Sequence, residues 1–147
     1  MSHKTIELKI ITPGEILLRE EVEGVSFPTV EGEITILPEH IPIIAAIKPG
    51  EVKIKKDGKE RFFSIARGVL EVDGKSITLL TDAAERPDDI DEKRAEEARK
   101  KAKELMSEKR RGEEGYAEAV AQLERAMSRV RIAKRRKARG RSTIDSN

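Results

Sequence analysis

The sequence predicts a protein in two parts: an antiparallel β-sandwich or barrel, then an α-helical hairpin. Three observations predict it. Up to residue 86, short apolar runs alternate with period two and are separated by Pro-Gly, Glu-Gly and Asp-Gly pairs. From residue 88, Ala, Glu, Lys and Arg dominate, and the apolar spacing changes to three and four. The charge also divides at Pro87. Residues 1–86 hold 12 Lys/Arg and 15 Asp/Glu, a net of −3, while residues 87–147 hold 18 and 13, a net of +5. The predicted organisation is a sandwich domain over 1–86, a hairpin over 87–137 and a disordered basic tail over 138–147.

Taken in order, Ile6, Leu8 and Ile10 alternate with charged residues until Pro13-Gly14 breaks the run. Further runs cover 16–19 and 22–27, and Glu31-Gly32 precedes the alternating Ile34 and Ile36. Pro49-Gly50 ends the segment that closes on Ile47, and Val52 and Ile54 follow. Asp57-Gly58 before Phe62-Phe63 is a hairpin signal, and Asp73-Gly74 repeats it between 69–72 and 77–80. Pro87-Asp88-Asp89 then breaks the chain, and Asp89 or Asp91 can cap a helix over about 91–111. A second helix is expected from 116 to about 137. Its stripe is Tyr116, Ala119, Val120, Leu123, Ala126, Met127, Val130 and Ala133. The first helix offers only Ala95, Ala98, Ala102, Leu105 and Met106. An alanine face buries little area, so the hairpin should need a further support.

Composition removes several functions. There is no Cys, so disulfides, thiolate zinc sites and Cys nucleophiles are excluded. With His3 and His40 as the only histidines, a His-based metal site or triad is not expected, and no metal or required cofactor is assigned. No Walker loop or dinucleotide fingerprint occurs. Neither a bilayer-spanning run nor the apolar stretch of a signal peptide is expected.

The run Gly32-Glu33-Ile34-Thr35-Ile36-Leu37-Pro38-Glu39-His40-Ile41-Pro42, followed by Ala46-Ile47-Lys48-Pro49-Gly50, resembles the epsilon subunits of F-type ATP synthases. So do Gly68-Val69-Leu70-Glu71-Val72, the run from Ile77 to Arg86, and Asp89-Ile90-Asp91-Glu92-Lys93-Arg94-Ala95. The resemblance extends over about 4–137. It implies a sandwich of about ten strands and a regulatory helical hairpin. The implied role is non-catalytic: a central-stalk rotor subunit that couples proton flow through the c-ring to ATP synthesis and restrains hydrolysis through mobile helices. The implied partners are the gamma subunit, the c-ring and, in the extended state, the catalytic alpha and beta subunits. The implied location is peripheral, on the cytoplasmic face of the bacterial plasma membrane.

The same resemblance nominates residues. Glu33, His40 and Pro42 are candidates for the gamma and c-ring interface; read without it, Glu33 is a solvated turn acid and His40 a hydrogen-bonded loop residue. Ile90, Asp91, Arg94 and Ala95 match the pattern of members that bind ATP as a regulatory ligand. Arg125 and Arg129, four apart on the second helix, supply two further guanidinium groups for phosphates. Lys101 and, on a looser alignment, Glu118 stand where strong binders carry arginines. Arg131, Lys134, Arg135, Arg136 and Lys137 are candidates for inhibitory contact with acidic segments of the catalytic subunits, weakened by salt. An alternative for this basic helix is a stand-alone nucleic-acid-binding module, although it lacks stacking aromatics. Arg67-Gly68 stands where the family commonly has Gly-Gly.

Overall fold

A computed structural model describes residues 4–144, with side chains to 138. Ten strands come first: β1 Ile6–Thr12, β2 Glu15–Val22, β3 Gly24–Thr29, β4 Gly32–Ile36 and β5 Ile43–Ile47, then β6 Gly50–Lys56, β7 Lys59–Ile65, β8 Gly68–Val72, β9 Ser76–Thr81 and β10 Ala84–Glu85. Hydrogen bonding links them in the order β10-β7-β6-β3-β5-β8-β9-β1-β2, with β4 on the other side of β3. Only Thr29 and Ile47 join β3 to β5 in the ladder. The sheet therefore divides there into two layers that face each other. Leu8, Ile10, Phe27, Ile36, Val52, Ile54, Phe63, Ile65, Leu70, Ile77 and Leu79 fill the space between them.

The turn signals act as their chemistry requires. Asp57 and Gly58 both have positive φ, 52° and 71°, as the tight β6–β7 hairpin needs. At the β8–β9 turn, the Asp73 carboxylate instead accepts hydrogen bonds from the Lys75 and Ser76 amides. Those bonds hold its carboxyl below the usual carboxylate range. One pairing departs from the antiparallel expectation. β1 runs parallel to β9, from Glu7 opposite Ser76 to Ile11 opposite Leu80. Local turn chemistry speaks only for neighbouring strands, whereas a parallel pair needs a long connection. Here that connection is the intervening sandwich.

After a 3-10 turn at Pro87–Asp89 come α1 (Glu92–Glu108) and α2 (Tyr116–Ile144). Of the two possible caps, Asp91 is the one used: its Oδ1 accepts from the Arg94 amide at 3.1 Å. Ala95 and Ala102 of α1 are buried, as are Ala119, Ala126, Val130 and Ala133 of α2. Met127 is 40% exposed and does not belong to the buried stripe. The expected tail at 138–147 is corrected in part, because α2 continues through Ile144. Ala138, Arg139 and Arg141 are good helix formers, and one Gly costs only about 1 kcal/mol in a helix already nucleated. Residues 145–147 of that tail lie outside the described residues.

Candidate functional site

α2 lies against the outer face of one sandwich layer, and α1 packs on α2. Strand alternation prepares that face. In β7, Phe63 and Ile65 point into the core, so Phe62 and Ser64 point out. Ser64 is opposite Glu51 on β6 and opposite Glu85 on β10, which gives an outward row Glu51–Ser64–Glu85 across three strands. Over it runs α2. Arg129 Nε donates to Glu85 Oε2 at 2.6 Å. Arg131 Nε donates to Glu51 Oε1 at 3.2 Å, and Arg135 Nη1 donates to Glu51 Oε2 at 2.9 Å. The Arg135 guanidinium also lies over the Phe62 ring, 4.0 Å from its centroid. Beside these pairs, Ile90, Ala95, Val130, Ile132 and Ala133 form a small core against Phe62. This is the support that the thin alanine face called for.

All five residues nominated for inhibitory contact are engaged within the chain. Besides Arg131 and Arg135, Lys134 Nζ is 3.3 Å from Glu96 Oε1, and Lys137 Nζ is 3.5 Å from Glu92 Oε2. Arg136 Nη1 donates to the Pro87 carbonyl at 2.7 Å, with Asp88 at 4.0 Å. Lys134 and Arg99 together hold the Glu96 carboxyl below its ordinary value, the Lys134 hydrogen bond foremost.

The six residues nominated for ATP are divided by the structure. Arg125 and Arg129 line a groove of about 340 Å³ between α1 and α2, together with Lys101, Ala98, Gln122 and Glu85. Its lining carries three cations and one carboxylate, which suits an anion. Arg94 is exposed, one helical turn before Ala98, and does not line the groove. Ile90 and Ala95 are buried in the small core, and Asp91 is committed to its cap. Glu118 is not in the groove either; it faces Arg67 at 3.9 Å.

Glu33 is exposed at the start of β4, after Gly32 with φ 126°. In the 37–42 loop, His40 Nδ1 donates to the Ile41 carbonyl at 2.7 Å, and Pro42 is exposed. Ile41 is 76% exposed. The Arg67 question is resolved by direction. Its side chain leaves the sheet and pairs with Asp82 at 3.2 Å. Gly68 carries the steric demand, since a Cβ there would lie 2.2 Å from the Leu80 carbonyl oxygen.

Sequence reasoning missed Glu51, Glu85 and Phe62 as the receivers of α2. The adjacent pair Phe62-Phe63 was the available signal, because two neighbouring aromatic residues in a strand place one on each face. It also missed an apolar row on the outer face of the other layer. Cross-strand partners Ala46–Val69, Val69–Leu80, Leu80–Ile11 and Ile11–Ile16 follow one another across five strands. Val69, Leu80 and Ile16 are 46%, 48% and 56% exposed. The doublets Ile10-Ile11, Val69-Leu70 and Leu79-Leu80 mark it. Among the described residues, no cluster of His, Asp and Glu could hold a metal ion, and no helix is long and apolar enough to cross a membrane.

Comparison with known proteins gives a consistent result. The family described as ATP synthase, Delta/Epsilon chain, beta-sandwich domain matches residues 5–87, and the corresponding long alpha-helix domain matches 88–134. An ATP synthase epsilon chain of Herpetosiphon aurantiacus is 42% identical over 134 residues, covering 91% of this chain and 98% of that one. One of Caldicellulosiruptor bescii is 38% identical, covering 89% and 95%. Among solved structures, a chain of the Euglena gracilis mitochondrial ATP synthase (OSCP/F1/c-ring) has the same fold. Its TM-score is 0.69 at 22% identity, over 82% of this chain and 76% of that one.

Proposed function

Because the chain belongs to the delta/epsilon family of ATP synthase subunits, alongside the epsilon chains, we propose that its hairpin is a two-state regulator of the enzyme. An epsilon chain is a non-catalytic stalk subunit, and the nucleic-acid alternative finds no support: Arg129, Arg131, Lys134, Arg135, Arg136 and Lys137 of α2 have acceptors within the chain. In the proposed cycle, the docked hairpin keeps Arg131, Lys134, Arg135, Arg136 and Lys137 on the chain's own acceptors. Release of α2 from both the sandwich and α1 frees those cations for acidic segments of the catalytic alpha and beta subunits, where they restrain ATP hydrolysis. The single observation behind this reading is that all five are engaged within the chain. Each can serve one partner at a time, so docking and inhibition exclude one another.

The sandwich is the fixed part. The apolar row Ile16–Ile11–Leu80–Val69–Ala46 is the proposed seat of the gamma subunit, and an unpartnered apolar surface of this kind fits a protein interface. Glu33 and the His40–Pro42 loop lie at exposed turns and are proposed to meet the gamma subunit and the c-ring. Through these contacts the chain would be held peripherally, on the cytoplasmic face of a bacterial plasma membrane. ATP is proposed as a ligand of the groove lined by Lys101, Arg125 and Arg129, which exists only while the helices are paired, so that binding favours the docked state. Arg94 would need to swing toward that groove to contribute.

The decisive experiment measures ATP hydrolysis by the assembled enzyme with the full chain and with the chain ending at residue 87. Higher activity with the shortened chain is expected; equal activity refutes inhibition by the hairpin. Titration calorimetry of ATP into the isolated chain tests the ligand, and absence of heat at millimolar ATP refutes it.

A further inference from the structure

The seam between α2 and the sandwich contains two buried hydroxyls as well as its ion pairs. Ser64 is 1% exposed and Ser128 is fully buried. Neither Oγ has a hydrogen-bond partner among the described residues. Two independent lines of geometry place both in the seam. Ser64 lies between Glu51 and Glu85 in cross-strand register, and directly opposed residues share a face of the sheet. That face receives Arg131 and Arg135 at Glu51 and Arg129 at Glu85. On α2, with about 3.6 residues per turn, Ser128 points between the directions of Arg135 and Arg129. The direction of Ala119, Ala126 and Ala133, which are buried toward α1, is roughly opposite.

We propose that Ser64 and Ser128 set the docking equilibrium of the hairpin by lowering the stability of the docked state. This rests on the two-state reading above. When α2 closes on the sheet, each hydroxyl loses water and gains no protein partner; when α2 leaves, water returns to both. A buried polar group without a partner destabilises the state that buries it, while an apolar group of similar size does not. The cost therefore falls on the docked state alone. Alanine is the natural comparison, because the buried positions of α2 toward α1 are filled mainly by alanine. The arginine–glutamate pairs fix where α2 lands, and the two serines keep the landing reversible.

The chain contains no cysteine, so Lys59→Cys and Met127→Cys, both at exposed positions, can carry spin labels in the full chain. Pulsed electron resonance then gives the populations of short (docked) and long (released) distances. Ser64→Ala and Ser128→Ala should each raise the docked-to-released ratio about fivefold or more, and the double variant further. Ser107→Ala, at an exposed site where the hydroxyl already donates to the Glu104 carbonyl, should leave it unchanged. A ratio unchanged or lowered by either seam substitution overturns the proposal. If the parent chain shows one distance at every salt concentration, the two-state reading fails and this inference with it. Two distances with an unshifted ratio defeat this inference alone.

Discussion

Replacing Glu51 by Gln tests the clasp most directly. Its carboxylate is 17% exposed and accepts from two arginines of α2, Arg131 at 3.2 Å and Arg135 at 2.9 Å. Arg131 is 53% exposed, so its pair contributes only about 0.5 kcal/mol. The Arg135 bond is charge-assisted and shielded by the Phe62 ring, and is worth about 1.5 kcal/mol. Glutamine keeps one amide oxygen for one arginine and loses the charge for both. A net loss of roughly 1.5 kcal/mol follows, which is about a tenfold shift toward release. The distance populations of the doubly labelled chain measure the shift. Glu51→Ala should move it further, because it also leaves the half-buried Arg135 without its carboxylate. If Glu51→Gln leaves the populations unchanged, the Glu51 clasp does not hold the hairpin. A fall in the released fraction would mean that the pair opposes docking.

Three other outcomes are expected. Gly68→Ala should lower the thermal unfolding midpoint of the sandwich, because the new Cβ meets backbone at 2.2 Å and overpacking of this kind costs about 1–3 kcal/mol; an unchanged midpoint contradicts the close approach. Acid should loosen α1 from α2. Since the Glu96 carboxyl is held below its ordinary value of 4.5 by the Lys134 hydrogen bond and the Arg99 charge, its contribution is present above that value and is lost as pH falls through the depressed folded value. Spin labels on the two helices should broaden in distance over that acid range in the parent chain, and less so in Glu96→Gln. Leu80→Asp, in the middle of the exposed apolar row, should abolish capture of the gamma subunit while leaving thermal unfolding within about 0.5 kcal/mol of the parent; undiminished capture would remove the row from the interface.

Salt acts on this system in two directions. Screening weakens the proposed contact with catalytic subunits, but it also weakens Arg131–Glu51, which ties α2 to the sandwich, and Lys134–Glu96 and Lys137–Glu92, which tie α2 to α1. The small core of Ile90, Val130, Ile132 and Phe62 is insensitive to salt. Docking should therefore outlast inhibition as ionic strength rises.

The strand pattern was most legible where a run buries one face, as β1 and β6 do, and the alternation of Ile6, Leu8 and Ile10 states which face that is. The parallel β1–β9 pair was not, because no local signal specifies a partner so distant in sequence. On the helices, a cap at Asp89 or Asp91 and the placing of Arg125 with Arg129 on one face could be read from spacing; the structure selects Asp91. Their relation to Ile90 and Ala95 could not, since it depends on where the hairpin leans. Glu51 and Glu85 looked like ordinary solvated strand acids. Only the outward-facing Phe62 betrayed that something must cover that layer. The end of α2 was placed too early, at about 137: the residues that follow carry no apolar stripe, yet they extend a long helix that is already formed.

The single ladder contact between Thr29 and Ile47 separates two duties. The hairpin rests on β6, β7 and β10, while the apolar row occupies the opposite outer surface, on β5, β8, β9, β1 and β2. On the proposed reading, grip and governor are thus mounted on different plates with a shared filling. The regulator would lift away from one plate while the other stays fastened to the shaft, so that a turning machine changes its braking without loosening the part that carries the brake.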